Sequence, residues 1–287
     1  MGIDQIKILL GIAIIIIMLG MGLSLELNDF SRIIKRPKSV IIGLLAQMVI
    51  LPLIAYSLVS IFDLEAGLAV GIMLIAACPG GAVSNMFTFL AKGDVALSVS
   101  LTAFTSFVTI FTVPFFIDFS VQSFLIAGGA ENIVDRMEFI KVLLLLIAVP
   151  VTIGMVIRRF NENIASKSKK PVKYVSIIFL AVIVTVAVLT NKDKLLEALP
   201  KVGSAAILLN VCTMAIGFTL AKLSKLSSAS VATITIEGGI QNGTLAMTLG
   251  TIGVLGDYPE ILLPAALYSV WMFFSGGIFS YIISKKH

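Results

Sequence analysis

The chain has 287 residues, of which 58% are hydrophobic and 13% are charged. Soluble domains carry about 25% charged residues, so this composition excludes an ordinary soluble domain and indicates a polytopic membrane protein. The net charge of +5 does not indicate nucleic-acid binding, because the basic residues stand in the short segments between apolar runs. Cys78 and Cys212 both fall in apolar segments, with neither disulfide nor metal-ligand spacing. The only histidine is the last residue, His287, so catalysis by histidine is excluded.

Apolar runs long enough to cross a bilayer follow one another along the whole chain. A spanning helix needs about 20 such residues, and the first run lacks the small-residue cleavage site of a signal peptide, so it is interpreted as a retained span. The predicted fold class is therefore an all-α polytopic membrane protein with about nine transmembrane helices. The predicted spans are about 6–25, 39–61, 67–90, 94–117, 138–157, 174–190, 202–221, 229–252 and 261–284.

The distribution of Lys and Arg predicts how these spans are oriented. One set of span ends carries fifteen of these residues and the opposite set carries six. Positively charged loops stay in the cytoplasm, so the richer side is predicted to be cytoplasmic. With nine spans the amino terminus is then outside and the carboxyl terminus is in the cytoplasm. The expected location is a plasma membrane, which in a bacterium is the inner membrane.

The eighth span contains the most unusual stretch of the chain. Glu237 is the only acidic residue that the sequence places deep within an apolar run, and a charge there costs roughly 2.5–3.5 kcal/mol on insertion scales. Two amides, Gln241 and Asn242, follow it, and glycines at 238, 239 and 243 weaken the helix at the same point. Because broken backbone is not tolerated against lipid, these residues predict a buried binding site.

The third span has a second break. Pro79 lacks an N–H donor and clashes with the preceding helical turn, and Gly80 and Gly81 follow it. Polar Ser84 and Asn85 come next, so the third and eighth spans resemble each other although they enter the membrane from opposite sides. Two such interrupted spans are typical of the binding site of a secondary transporter built from an inverted repeat. The halves would be spans one to four and five to nine, the first half having one helix fewer.

Most polar side chains at membrane depth cluster around the two breaks. Ser98 and Thr102 lie four residues apart and so share a helix face, and oxygen is the preferred ligand of hard cations. No thiol–imidazole set suits a transition metal, so the cluster favours a small monovalent cation, Na⁺ or H⁺. Its members are Gln47, Ser84, Asn85, Ser98, Thr102, Glu237, Gln241 and Asn242.

Structural roles remain open for several of these residues. Hydroxyls in membrane helices commonly bond to their own backbone, which applies to Ser98 and Thr102. Gln47 would serve equally well as a hydrogen-bonding link between helices. Asn85 and Asn242 would also serve as caps of half-helices.

The motifs at these positions resemble those of the bile acid:sodium symporter family, specifically its bacterial members. The similarity extends over nearly the whole chain, and it is the combination of motifs that is specific. They are Gly20-Met21-Gly22-Leu23-Ser24-Leu25 with Asp29-Phe30, Gln47 with Pro52, Cys78-Pro79-Gly80-Gly81, Ser84-Asn85, Gly93-Asp94-Val95-Ala96-Leu97-Ser98, and Glu237 with Gln241-Asn242.

The resemblance implies two groups of helices and two sodium sites that share Glu237. The panel would contain spans 6–25, 138–157 and 174–190, and the core would contain spans 39–61, 67–90, 94–117, 202–221, 229–252 and 261–284. The first sodium site would consist of Ser84, Asn85, Ser98, Thr102 and Glu237. The second would consist of Gln47, Glu237 and Gln241, with the backbone oxygens of Gly238 and Ile240.

The function implied is a sodium-coupled symporter that imports an organic anion, bile-acid-like or a smaller carboxylate, by alternating access. It would be no enzyme and need no organic cofactor, and one chain would be functional by itself. The substrate cavity would be lined by Ala82, Asn242, Met272 and Phe273. Ala82 stands where some relatives have threonine, and Met272-Phe273 where some have a His-Asn pair after the tryptophan, so this cavity is expected to be more apolar.

Two alternatives remain at this stage. A related carrier class exports arsenite with a cysteine before the broken helix, a part that Cys78 would play. A proton would replace sodium in a proton-coupled carrier. An intramembrane enzyme is disfavoured, because one buried glutamate without histidine provides no acid–base pair.

Overall fold

In a computed structural model, which describes residues 3–126, 135–190 and 192–285, the chain is 88% helical. Five continuous helices among these residues are long and apolar enough to cross a membrane. They are Pro37–Phe62, Val95–Ile126, Arg136–Phe160, Leu195–Leu223 and Pro259–Ser284. The shorter apolar helices Ile8–Gly22, Ala66–Ala77 and Ile177–Val186 accompany them. The predicted all-α polytopic membrane fold is confirmed.

Each predicted span falls on one helix or on a pair of shorter ones. In chain order the helices are α1 (Ile3–Gly22), α2 (Leu27–Lys35), α3 (Pro37–Phe62), α4 (Ala66–Ala77), α5 (Ala82–Leu90), α6 (Val95–Ile126), α7 (Arg136–Phe160), α8 (Glu162–Thr190), α9 (Lys192–Leu223), α10 (Ser228–Gly239), α11 (Gly243–Leu249) and α12 (Leu262–Ser284). Short 3₁₀ turns, Gly253–Asp257 and Pro259–Ile261, connect α11 to α12. Both α8 and α9 begin well before the apolar runs they contain, because their charged first turns are helical too.

The fourth span is longer than predicted and contains a second buried acid. Helix α6 continues to Ile126 rather than ending near 117, so Asp118 lies inside it and is only 3% exposed. Arg136, at the start of α7, donates from Nε to Asp118 Oδ2 at 2.7 Å and also forms an ion pair with it through Nη2. Gln122 donates to the other carboxylate oxygen at 2.9 Å. The expectation that Glu237 is the only deep acid was therefore wrong, because a partner distant in sequence neutralises Asp118.

Most of the two interrupted spans is enclosed by the rest of the protein, although α5 is exposed at Phe89 and Leu90. Residues 67–77 of α4 are all buried, and so is every residue from 230 to 250, across α10, α11 and the break between them. Helices α3, α6, α9 and α12 pack around them. This enclosure is the condition under which non-helical backbone is tolerated at membrane depth, since lipid offers it no hydrogen-bonding partner.

Helices α1, α7 and α8 pack on one another beside this group. The contact of α1 with α7 is between backbones: a methyl group on Gly22 would stand 2.2 Å from the carbonyl oxygen of Val151, and one on Gly154 would stand 2.4 Å from that of Leu19. Glycine is required at both positions, because any side chain would push the two helices apart.

Candidate cation site at the helix crossover

The two breaks cross one another as the repeat pattern predicts. Cys78 and Ile240, which follow the last residues of α4 and α10, both have extended backbone. The segments run antiparallel, with Gly80 opposite Gln241. The N–H of Asn242 donates to the carbonyl oxygen of Pro79 at 2.9 Å. The two breaks thus satisfy some of each other's backbone hydrogen-bonding groups and bring the ends of four half-helices together.

Glu237 lies at this crossover and is 1% exposed. Three hydroxyl groups donate to its carboxylate. Ser84 reaches Oε1 at 2.6 Å, Thr102 reaches Oε2 at 2.9 Å, and Ser98 also bonds to Oε1. The donors stand on α5 and α6 and the acceptor on α10, so the contacts tie three elements at one point. Among the described residues, the ion pairs do not include Glu237.

The hydroxyl groups of this cluster lie within hydrogen-bonding distance of more acceptor oxygens than they have protons to donate. The Oγ atom of Ser98 lies 2.7 Å from Oδ1 of Asn85 as well as against Glu237. Ser84 lies 2.8 Å from the carbonyl oxygen of Gly81 as well as against Glu237. A hydroxyl carries a single proton, so each serves one acceptor at a time. A surplus of oxygens around a carboxylate is the environment that a hard cation prefers.

A network at the start of α6 positions Ser98 and Thr102. The side chain of Asp94 caps the helix by accepting from the N–H of Leu97 at 3.1 Å. The backbone N–H of Asp94 donates to Oγ1 of Thr233 on α10 at 2.8 Å, and Arg36 donates to its carboxylate at 2.5 Å. The sequence analysis did not find this network. Its detectable signal was an Asp just before a helix, the usual N-cap position.

A second polar group adjoins the first. Gln47 donates from Nε2 to Oε1 of Gln241 at 3.3 Å, and Gln241 donates to the carbonyl oxygens of Gly238 at 3.0 Å and of Glu237 at 3.4 Å. Gln47 stands in a wider π-helical turn of α3, Leu45–Ile50, just before Pro52. Such turns are frequent at functional sites. The Oε1 atom of Gln47 is buried and has no hydrogen-bond partner.

Gly80 separates the two groups. A methyl group there would lie 2.8 Å from Oε2 of Glu237 and 3.0 Å from Nε2 of Gln47. The backbone at Gly80 therefore runs between the carboxylate of Glu237 and the side-chain amide of Gln47, where no side chain would fit.

The structure decides most of the open structural roles. The hydroxyls of Ser98 and Thr102 bond to Glu237, and Gln47 does connect two helices through Gln241. Asn242 caps α11, accepting from the N–H of Leu245 at 3.0 Å, although its Nδ2 is buried without a partner. Asn85 is not a cap, because Gly81 occupies that position of α5.

Three of the four predicted substrate residues line one small cavity. It has a volume of about 40 Å³ and separates the crossover from α1 and α8. Ala82, Asn242 and Met272 line it on the crossover side, and Ile17, Ile177 and Leu180 on the other. The ring of Phe273 instead packs edge-on against Phe87, with ring centroids 5.9 Å apart.

Cys78 and Asn210 lie beside the crossover but outside these groups. Cys78 is buried and lines a second narrow cavity together with Gln47, Pro79 and Thr109. Asn210, to which the sequence analysis assigned no role, donates to the carbonyl oxygen of Gly239 at 2.6 Å.

Two crossed half-helix pairs with a buried oxygen cluster define the class of secondary membrane transporters. Comparison with known proteins gives the family: the Sodium Bile acid symporter family matches residues 11–198, and the chain belongs to it. This is a transporter family and not an enzyme family.

Individual relatives extend the similarity over both halves of the chain. An uncharacterized sodium-dependent transporter of Bacillus subtilis (strain 168), YocS, is 34% identical over 283 residues, which are 99% of this chain and 84% of that protein. The human ileal sodium/bile acid cotransporter is 29% identical over 282 residues, 96% of this chain and 79% of its own length. The probable chloroplastic sodium/metabolite cotransporter BASS1 of Arabidopsis thaliana is 30% identical over 240 residues, with 84% of this chain matching 58% of that protein.

Proposed function

We propose that this protein is a symporter that uses inward sodium movement to import a small organic anion by alternating access. The observation that carries the proposal is the carboxylate of Glu237, buried at the crossover and surrounded by three hydroxyl donors with no basic partner among the described ion pairs. Sodium is the coupling ion that the names of the relatives print.

Two sodium ions are proposed to share Glu237. The first would be held by the hydroxyl cluster and Asn85. The second would be held by Gln47 and Gln241 with the carbonyl oxygens of Gly238 and Ile240, and the unpartnered Oε1 of Gln47 supports this assignment. Two cations against one carboxylate leave one positive charge in excess. That excess would attract an organic anion to the crossover, which couples the two fluxes.

The proposed substrate site is the cavity lined by Ala82, Asn242 and Met272. Its volume of about 40 Å³ is far below the roughly 300–1,000 Å³ of ordinary ligand pockets. A substrate would therefore enter only when α1 and α8 move away from the crossover, which is the motion that alternating access requires. The amino-terminal end of α5 faces this region, and helix amino termini favour anions. The mostly apolar lining favours an anion with an apolar body.

The proposed orientation places the ends rich in Lys and Arg in the cytoplasm, with the amino terminus outside. Two contacts between predicted cytoplasmic ends support this orientation. Arg36 bonds to Asp94, and Arg158 donates to the carbonyl oxygen of Leu23 at 3.2 Å. On the opposite face Lys201 donates to the carbonyl oxygen of Asp63 at 3.3 Å. For a bacterial chain this membrane would be the inner membrane.

The test is the thermal stability of purified protein titrated with sodium chloride at constant ionic strength, with choline chloride as the replacement salt. A ligand that binds only the folded state stabilises it by RT ln(1 + [L]/Kd), about 2.7 kcal/mol at 100 times Kd. We expect a sodium-specific rise in the wild type that is lost in Glu237→Gln. The control is Glu65→Gln, the same change at an exposed glutamate, which should respond like the wild type.

Uptake of labelled organic anions into vesicles with a sodium gradient tests the transport step. Sodium-dependent uptake that Glu237→Gln abolishes and Cys78→Ala preserves would support the proposal and reject export through Cys78. Stabilisation and uptake that respond to pH but not to sodium would contradict it and indicate proton coupling.

A further inference from the structure

The carboxyl-terminal end of α10 leaves carbonyl oxygens without partners inside the helix, as every helix end does. The described contacts account for the last four. Ile236 accepts from the N–H of Ile240 at 2.9 Å. The carbonyl oxygens of Glu237 and Gly238 share the side-chain amide of Gln241, at 3.4 and 3.0 Å. Among the described contacts, these two oxygens are therefore held only by a side chain that is itself a proposed ligand.

The fourth carbonyl oxygen, that of Gly239, is held differently. Asn210 of α9 donates to it from Nδ2 at 2.6 Å, and Tyr268 of α12 donates to it from its hydroxyl at 2.9 Å. The two donors also lie 3.4 Å from one another. Asn210 is 0% exposed and so is Tyr268, so water does not replace either bond.

These bonds hold the one peptide group that lies between the two proposed carbonyl ligands. The peptide joining Gly239 to Ile240 is held at its oxygen by Asn210 and Tyr268, and at its N–H by the carbonyl oxygen of Ile236. Its plane is therefore held at both ends, and this restrains the Gly238 and Ile240 carbonyls, which are joined to it through the torsion angles of Gly239 and Ile240. The carbonyl of Gly239 is itself directed at α9 and α12.

The unused atom of Asn210 indicates that this residue serves the carbonyl and not the stability of the fold alone. Its Oδ1 is buried and has no partner. A buried acceptor without a partner costs free energy, so an apolar residue would pack here at lower cost. What only the amide provides at this position is a donor to Gly239 and a second donor to Tyr268.

We propose that Asn210 and Tyr268 are positioning residues for the second sodium site, because they orient the peptide between its two carbonyl ligands. This inference rests on the proposed sodium-coupled function. It adds two residues that touch neither ion nor substrate, and they act through the direction of the Gly238 and Ile240 carbonyls. Loss of either donor should weaken sodium binding while leaving the fold intact.

The test is the sodium titration of thermal stability in Tyr268→Phe and Asn210→Ala. Tyr268→Phe removes one hydroxyl without changing the shape of the ring, so this variant keeps the test valid if Asn210→Ala folds poorly. We expect the sodium concentration at half-maximal stabilisation to rise about threefold to tenfold in each, the effect of losing one ordinary hydrogen bond. Because both residues hold the same oxygen, the two effects should be coupled, and the double variant should depart from the product of the two single effects.

The matched control is Thr213→Val on the same helix as Asn210. Thr213 is buried beside Gly238, with its Cγ2 3.4 Å from where a methyl group on that glycine would stand, but its hydroxyl donates to Leu209 within its own helix at 2.6 Å. It should keep the wild-type sodium midpoint.

A lower melting temperature in choline with an unchanged sodium midpoint in Tyr268→Phe would overturn the inference, since that is the result of a purely structural role. If the wild type itself shows no sodium response, the proposed function fails and this inference fails with it. A wild type that responds, with both variants matching it, overturns the inference alone.

Discussion

At the scale of single residues, the proposed binding site is built around a group that is unfavourable in a membrane, the buried carboxylate of Glu237. An acid buried in a membrane protein is costly unless it is neutralised, and the protein treats Asp118 and Glu237, both buried, in opposite ways. Asp118 is paired with Arg136. Glu237 is surrounded by hydroxyls that donate but carry no charge. This difference supports the proposal that a cation, and not a basic side chain, is the partner of Glu237.

Ser98 should contribute strongly to cation affinity, because its hydroxyl lies against both Glu237 and Asn85. Ser98→Ala removes a proposed oxygen ligand of the first sodium site, and groups bonded to a charge contribute about 1.5–3 kcal/mol. We expect the sodium midpoint of thermal stabilisation to rise about tenfold or more.

Ser100→Ala is the control on the same helix. Ser100 is equally buried, but its hydroxyl donates to the carbonyl oxygen of Ala96 at 2.7 Å within α6. If Ser98→Ala and Ser100→Ala have the same sodium midpoint of thermal stabilisation, Ser98 is not a sodium ligand.

At the scale of elements, what matters is how closely the two breaks approach each other. Pro79 and the glycines end the helix in the third span, and the extended segment that follows pairs with the break of the eighth span, with Gly80 opposite Gln241. Three of the four adjoining half-helices, α4, α10 and α11, are almost entirely buried, and so is the non-helical backbone at both breaks, which therefore needs no hydrogen bond from lipid. The helix ends at each break are held by hydrogen bonds to the opposite break and to neighbouring helices, so the two breaks are linked to one another.

Gly80→Ala tests the closeness of this approach. The added methyl group would stand 2.8 Å from Oε2 of Glu237, so the carboxylate has to move from its hydroxyl donors. We expect loss of sodium stabilisation, read in the same thermal titration, together with loss of uptake.

Gly81→Ala is the control one residue later. Its methyl group would lie 3.5 Å from the nearest atom, the carbonyl oxygen of Gln241, which is ordinary van der Waals contact. Wild-type sodium binding by Gly80→Ala would contradict this, because it would show that the crossover accommodates a methyl group without displacing the carboxylate of Glu237.

At the scale of the whole molecule, two sets of helices meet at a small cavity. Helices α1, α7 and α8 pack together, and the interrupted spans are enclosed by α3, α6, α9 and α12. The cavity that separates them holds about 40 Å³, so the proposed transport cycle depends on movement between the two sets. The proposed sodium sites, in contrast, involve only residues at the crossover.

Leu180→Trp should separate these two steps. Leu180 lines the cavity from α8, and the indole ring of a tryptophan at this position would occupy the space proposed for the substrate. We expect uptake to be lost while sodium still stabilises the protein, measured on the same preparation.

Ile178→Trp provides the control, because Ile178 is 62% exposed on the outer side of the same helix. It should transport normally. Normal uptake by Leu180→Trp as well would place the substrate elsewhere.

Much of this organisation is determined by local properties of the sequence. Hydropathy and helix-breaking residues act over one or two turns, so the apolar spans, the break at Pro79-Gly80-Gly81 and the break after Glu237 were all predictable. The oxygen-rich composition around the breaks was visible for the same reason, since few polar residues occur in membrane spans. Asp118 was misjudged because the end of a helix depends on its partner as well as on its own hydropathy.

The tertiary structure alone decided which of these groups meet. Thr102 and Glu237 are separated by 135 residues, and Gln47 and Gln241 by 194. No local pattern specifies that Asp94 bonds to Thr233, or that Asn210 and Tyr268 converge on Gly239. Hydrogen-bond partners are selected by how enclosed helices pack, because each buried donor has to find an acceptor among the elements packed beside it. The sequence by itself determined that a polar site exists at the breaks, and the packing determined its contacts.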